Sequence, residues 1–376
     1  MLPTSLYIHI PWCIRKCPYC DFNSHKSPDI LPEKEYIAAL IADFKADLAR
    51  FPAREIHTIF IGGGTPSLLS AEAYALLFTQ LQKLVNFAKD IEITLEANPG
   101  TVEQQRFSDY RQLGINRLSL GIQSFNPLHL KALGRIHDDK QAHKAIEAAR
   151  NAGFTNLNID LMHGLPGQSA GQGLDDLNMA LAHEPEHLSW YQLTIEPNTI
   201  FYKKTPLLPS EDEVCQLEEQ GLNLLAAHGY QRYEISAFCK TEKFARHNLN
   251  YWLFGDYYGV GAGAHGKITE AGQVFRLKKH RQPNEYLHPE KSYLAAEEQV
   301  GADSLLFEFM LNTSRLEQAI PMSLFTERTG LPLSVLKPFL IKAAEIGLIT
   351  MDDHFWQVTS FGRRYTNNLQ AMFLPD

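Results

Sequence analysis

Three of the chain's five cysteines, Cys13, Cys17 and Cys20, fall inside the single stretch "YIHIPWCIRKCPYCDFNSH". Thiolates at C-x3-C-x2-C spacing on one loop can hold three corners of an iron-sulfur cube, whose usual protein ligation is four cysteines. One iron then keeps an open coordination position, the property that separates a catalytic metal from a structural one. The competing chemistry is a closed tetrahedral zinc set completed by His9 or His25. Structural zinc usually draws ligand pairs from two separate loops, and no second pair is evident. An odd number of cysteines, three of them too close for a disulfide framework, points to metal-bound thiolates in a reducing compartment. Cys215 and Cys239 lie far from the loop and read as ordinary buried or half-buried thiols.

The elements that must position this loop alternate regularly. Short apolar, β-branched runs at "SLYIHI", "HTIFIGG", "IEITLEAN", "RLSLGIQS", "NLNIDLMHGLP" and "LSWYQLTIEP" read as strands. Between them, Glu33 to Arg50, Ala71 to Phe87, Val102 to Leu113, Lys140 to Ala152 and Gly173 to His183 carry helical spacing of Leu, Ala, Ile and Phe. Repeated βα units imply parallel strands with helices outside, as a doubly wound sheet or a full or partial (β/α) barrel. In such folds function sits at the C-terminal strand ends. Special residues cluster there four times, at Gly62 to Pro66, Glu96 to Gly100, Gln123 to Phe125 and Asp160 to Pro166. Turn-forming Gly and Pro would explain one such cluster; four on consecutive strands favour a shared pocket.

The aromatic, Gly-rich stretch Tyr233 to Gly266 follows, and beyond about Ser292 the pattern becomes helix, turn, helix and a short hairpin, like a small winged-helix domain. A formal net charge of -8 argues against a polyanion partner, so nucleic acid is not expected and the terminal domain reads as a packing or lid module. The basic run "RLKKHR", Arg276 to Arg281, reads as solvated surface, with a local anion site as the alternative. No apolar run approaches the roughly 18 residues of a membrane span, which leaves room only for peripheral membrane contact. The N-terminal residues lack the features of a secretory signal, and a cytoplasmic location is expected.

The cysteine loop, with an aromatic residue just before the last Cys and "GGGTP" after the second strand, resembles the radical S-adenosylmethionine (SAM) superfamily. Together with "EANPG", "GIQSF", "LGRIH", "DLMHGLPGQ", "YQLTIEPNT", "HNLNYW" and "GVGAGAHG", it resembles HemW-type proteins, relatives of the HemN-type oxygen-independent coproporphyrinogen III oxidase. The resemblance implies a partial (β/α) barrel of radical SAM type with a smaller C-terminal, winged-helix-like domain. It divides the chain into a core barrel (1–235), a connecting segment carrying H-N-x-x-Y (236–291) and the C-terminal domain (292–376). It also implies a [4Fe-4S] cluster on Cys13, Cys17 and Cys20, with SAM chelated at the open iron and cleaved by one electron to a 5'-deoxyadenosyl radical. Tyr7, Tyr19, Gly63, Gly64, Thr65, Glu96, Gln123, Arg135 and Asp160 fall where the family's motifs contact SAM. Their chemistry suits that role, since Gly permits close backbone approach and the charged groups can bind ammonium, hydroxyl and carboxylate groups. Each alone has a plainer structural reading, as strand surface, helix ion pair or loop cap.

One departure bears on function. The oxidase relatives carry a further Cys two residues after the third ligand, where this chain has Phe22. That favours the HemW-type expectation: a chaperone that binds haem as cargo and delivers it to haem-accepting proteins. The alternative is a radical SAM oxidoreductase acting on a tetrapyrrole, an oxygen-independent coproporphyrinogen III dehydrogenase. "HNLNYW" offers His247 as an axial haem ligand with Tyr251 or Trp252 packing the macrocycle, while a hydrogen-bonded structural histidine among aromatics is the plainer alternative. His265, flanked by Gly, is a weaker candidate.

Overall fold

The computed structural model describes residues 4–375, the side chains of 101–104 excepted. Its centre is a 12-stranded sheet. Thr4–Ile10, Ile56–Gly63, Phe87–Ala97, Arg117–Gln123, Leu157–His163 and His187–Gln192 pair in that order, all parallel. Helices Glu33–Arg50, Ala71–Leu81, Thr101–Gln112, Asp139–Asn151 and Ala170–Leu181 return the chain between them. This is the partial barrel that the resemblance implies, one of the arrangements the βα alternation leaves open. The strands are nearly continuous apolar runs because helices cover their outer face, and every residue of Arg117–Gln123 is buried. Local chemistry sets the helix starts. Ser70 accepts from the Ala73 N–H, and Asp138 with Gln141, Ser169 with Gln172 and Ser210 with Glu213 form reciprocal capping boxes.

One helix ends earlier than its apolar spacing suggests. The segment read as helical to Phe87 stops at Leu81, and Phe87–Ala97 is a strand four residues longer than "IEITLEA". Val85 is buried under the helix end while the Asn86 carbonyl accepts the Ile56 N–H, so the chain has already joined the sheet before Phe87.

The stretch 236–291 lays its strands into the same sheet. Asp256–Val260 pairs parallel with the first strand, closing its free edge, and His265–Glu270 and Gln273–Lys279 continue antiparallel, followed by Leu294–Gln299 from just beyond that stretch. At the opposite edge the hairpin of Gln231–Glu234 and Ala237–Cys239 pairs antiparallel with His187–Gln192. Buried ion pairs fasten the added strands. Lys267 Nζ lies 2.8 Å from Asp256 Oδ1, and Lys279 Nζ lies 2.5 and 2.6 Å from Asp43 and Asp47. Lys279 thus departs from the solvated surface read for the basic run.

The C-terminal domain has the winged-helix order: helix Ala302–Thr313, strand Ile320–Pro321, helices Met322–Thr329 and Leu333–Glu345, then strands Ile349–Met351 and Phe355–Val358. The three short strands form one sheet with Phe355–Val358 in the middle. Its core takes in Phe254, just before strand Asp256–Val260, and Val274 of strand Gln273–Lys279, so the domain packs directly on the barrel's added edge. Arg315 with Glu234 and Arg232 with Glu317 pin it to the far hairpin.

Candidate functional site

The cysteine loop leaves the first strand at its C-terminal end and crosses the mouth of the barrel. Its underside is anchored by a relay of side chains. The Tyr7 hydroxyl and His9 Nδ1 are 2.8 Å apart, His9 Nε2 lies 2.8 Å from the Asn23 carbonyl, and Asn23 Nδ2 donates to the Ala262 and Arg281 carbonyls. His25 Nε2 lies 3.2 Å from the Arg281 carbonyl oxygen. Both histidines considered for a zinc set are therefore occupied elsewhere. Among the described residues, no three His, Cys, Asp or Glu side chains converge as a single metal ion would need.

The three loop thiols are free, half-buried and open onto one cavity of ≈ 540 Å³. The same cavity is lined by Tyr19, Gly63, Gly64, Thr65, Glu96, Gln123, Arg135 and Asp160. The strand-end clusters thus meet in one space although up to 147 positions separate Cys13 from Asp160. Tyr7 lies beyond the shared wall, in the neighbouring cavity.

Backbone geometry explains the glycines. Gly63 has φ +114°, and a Cβ there would lie 2.5 Å from the His9 ring; one on Gly64 would lie 2.5 Å from the Trp12 carbonyl oxygen. Removing both side chains lets the cysteine loop lie directly on the second strand's end, where Gly64 N–H donates to the Ile10 carbonyl and Thr65 N–H to that of Trp12.

The polar groups are positioned by residues that the sequence reading did not single out. Arg135 is held by Asn98 Oδ1 at 2.5 Å and the Gly121 carbonyl at 2.6 Å, and its Nη1 lies 3.7 Å from Cys17 Sγ. Asn98 also donates to Thr65 Oγ1 at 3.0 Å. Asp160 accepts from Ser119 and Asn158, and the Tyr191 hydroxyl donates to Gln123. Asn98 sits inside the quoted "EANPG", where strand-end position was the available signal; Asn158, two residues before Asp160, is the second residue of its strand and carried no such signal. Glu96 accepts the Gly63 N–H at 3.1 Å. Burial, with the nearby Asp160 carboxylate, pushes the Glu96 carboxyl up to about 7, and burial raises Asp160 as well.

A second cavity of ≈ 620 Å³ adjoins the first, sharing Phe22, Gly63, Glu96 and Trp252 with it. Its walls are aromatic, with Tyr7, Tyr251, Trp252, Phe254 and Tyr257, and its rim carries His265, Arg276 and Arg281. Asn312 of the C-terminal domain also lines it. Arg276 and Arg281, from the run read as solvated surface, therefore face a cavity.

The structure does not place His247 on either cavity wall. Its ring is fully buried, with Nδ1 2.8 Å from Thr58 Oγ1 and Nε2 2.8 Å from the Tyr251 hydroxyl. Burial lowers its pKa to about 3. Both nitrogens are used, so the expectation of an axial ligand here gives way to the structural alternative: His247 orients Tyr251, which does face the cavity. Cys239 is buried as expected, whereas Cys215 is exposed.

Residues 7–180 match the family model of the Radical SAM superfamily, and residues 302–365 match the HemN C-terminal domain. A thiol loop at the first strand's end of a parallel βα barrel is the architecture of that superfamily, and membership in it implies a [4Fe-4S] cluster and SAM. "Heme chaperone HemW" of Haemophilus influenzae is 48% identical over 379 residues, covering 100% of this chain and 98% of its own. The protein of the same name from Escherichia coli is 48% identical over 375 residues, covering 100% of this chain and 99% of its own. That of Bacillus subtilis is 35% identical over 381 residues, covering 99% of each. This chain belongs to the HemW family. Coproporphyrinogen III oxidase (HemN) from Escherichia coli, a radical SAM enzyme, shares the fold with a TM-score of 0.84 over 99% of this chain and 90% of that one, at 24% identity. No helix among the described residues is long and apolar enough to cross a membrane.

Proposed function

We propose that this protein binds haem and hands it to haem-accepting proteins, with a [4Fe-4S] cluster and SAM seated beside the cargo. The observation that carries the reading is the pair of adjoining cavities, one lined by three free thiols and buried carboxylates, the other by aromatic rings with cations at its rim. The full-length relatives named heme chaperones support it. A porphyrin is a large, mostly apolar plate, and a cavity of several hundred Å³ walled by Tyr251, Trp252 and Tyr257 suits it.

In this reading Cys13, Cys17 and Cys20 hold the cluster, whose open iron supplies a chelation point for SAM and one-electron chemistry. Gly63 and Gly64 admit the cofactor's amino-acid portion against bare backbone, with Thr65 beside it. Glu96 and Asp160 accept its N–H or O–H hydrogen bonds, and Arg135, fixed by Asn98, supplies the cation for a carboxylate. Tyr19 and Gln123 complete the wall, and Tyr7 and Tyr251 line the haem side. The donor set fits these groups, because the acids from two separate strands and the guanidinium from the loop after Pro127–Ala132 converge on the thiol-lined space. A reducing cytoplasm suits an uncrosslinked set of cysteines.

Phe22 is 65% exposed and stands between the two cavities, at the position where the oxidase relatives carry their further Cys. Delivery of cargo rather than oxidation of coproporphyrinogen follows from that replacement. The test is anaerobic: reconstituted protein with SAM and a reductant should leave coproporphyrinogen III unconverted, while haem-loaded protein should pass haem to an acceptor apoprotein. Turnover of coproporphyrinogen III, or haem that never leaves, would overturn the assignment.

A further inference from the structure

The aromatic cavity contains an imidazole that the fold leaves uncommitted. His265 is exposed on the cavity wall, and among the described residues its ring has no hydrogen-bond partner. It begins a strand whose alternate residues face one side, so His265 shares that side with Lys267 and, across the pair, with Lys278 and Arg276. Lys267 is buried on Asp256, and Arg276 is neutralised by Glu308 at 2.5 Å. Lys278, directly opposite His265 in register, and Arg281 on the cavity rim have no ion-pair partner among the described residues.

We propose that His265 supplies the axial imidazole to haem iron in this cavity, with Lys278 and Arg281 receiving the two propionates. The inference rests on the haem-binding reading above and assigns it a seat. The chemistry matches an iron porphyrin: an unengaged imidazole and the unpaired Arg281 on the cavity, Lys278 beside His265 on the same strand face as a second cation, and the rings of Tyr251, Trp252 and Tyr257 for the apolar plate. Iron ligation requires a neutral imidazole. Partial burial, with Lys278, Arg276 and Arg281 nearby, lowers the pKa of His265 and holds it in that form at neutral pH. The competing histidine, His247, would have to leave a fully buried position and give up both Thr58 and Tyr251. The seat also borders the thiol-lined cavity through Phe22 and Trp252, so cargo and cofactor would be neighbours.

The experiment is titration of ferric haem into the full chain carrying its reconstituted cluster, followed at the Soret band. His265→Ala should shift that band and weaken binding tenfold or more, and added free imidazole should restore the parent spectrum by filling the vacated ligand position. The double variant Lys278→Gln/Arg281→Gln should weaken binding without moving the band. His247→Phe, kept folded by circular dichroism, should retain the parent band position. If the parent binds haem and His265→Ala matches it in spectrum and affinity, the His265 assignment fails alone. If the parent takes up no haem at all, the haem-binding reading fails with it.

Discussion

Glu96 gives the most quantitative handle on the thiol-lined cavity and on the SAM seat proposed for it. Its carboxylate lies at the third strand's end, accepts one backbone N–H from Gly63, and is raised to about 7 by burial and by Asp160. A hydrogen bond to a charged group contributes about 1.5 to 3 kcal/mol. Glu96→Ala should therefore weaken SAM binding at pH 8 by roughly 10- to 150-fold, at about 1.4 kcal/mol per tenfold. The ionised carboxylate is the better acceptor, so protons compete with the cofactor below pH 7. Affinity in the parent should fall by up to about tenfold per pH unit below that point and level off above it. Burial raises the neighbouring Asp160 carboxyl as well, and Glu96→Gln should flatten the profile. Without ligand the sign reverses. A carboxyl raised from 4.5 to about 7 costs stability above pH 7, and that cost fades as pH falls from 7 toward 4.5. Glu96→Gln should then raise the melting temperature of the cofactor-free protein at pH 8 while weakening its cofactor binding. The assay is anaerobic equilibrium titration with SAM at pH 6, 7 and 8, paired with thermal melts. Unchanged SAM affinity in Glu96→Ala would remove Glu96 from the site.

Other perturbations address the scaffold around the two cavities. Gly63→Ala forces a side chain into the left-handed region and against the His9 ring, and should cost about 1 to 3 kcal/mol in chemical denaturation while reducing cluster incorporation. A variant as stable as the parent, with full iron content, would contradict the packing described. Lys279→Met leaves Asp43 and Asp47 buried without their cation and should lower stability by about 3 to 5 kcal/mol in denaturant. Since burial raises Asp43 and holds Asp47 up at about 6, the loss should shrink as pH falls below 6 and the carboxyls protonate; a pH-independent loss would argue against the ion-pair origin.

The thiol-lined cavity was legible in the sequence because its information is local. Three cysteines share one loop, and each strand announces its end with Gly, Pro or a lone charge, so βα periodicity alone predicts that Gly63, Glu96, Gln123 and Asp160 face one space. The aromatic cavity was not. Asp256–Val260, "DYYGV", lies inside the aromatic, Gly-rich stretch and carries no strand reading, yet it pairs with the first strand some 250 positions earlier. Lys279 reads as solvent-facing in a basic run, and only its distant carboxylate partners, Asp43 and Asp47, reverse that. His247 looked reactive because "HNLNYW" places an imidazole beside aromatic rings. What decides its role is Thr58, 189 residues away on the second strand, which takes the nitrogen that a metal would need. Pattern reading reports which side chains can do chemistry; long-range packing decides which remain free to do it.

The central claim is that one chain carries a cluster and a haem in adjoining but separately liganded cavities. The most direct measurement is iron, sulfide and haem content on one anaerobically reconstituted, haem-saturated sample of the parent and of the triple variant Cys13→Ala/Cys17→Ala/Cys20→Ala. The account predicts cluster iron and sulfide together with one haem per chain in the parent. In the triple variant the cluster should be gone, with haem stoichiometry and Soret position retained. Haem lost together with the cysteines, or cluster iron and sulfide that survive their removal, would contradict it.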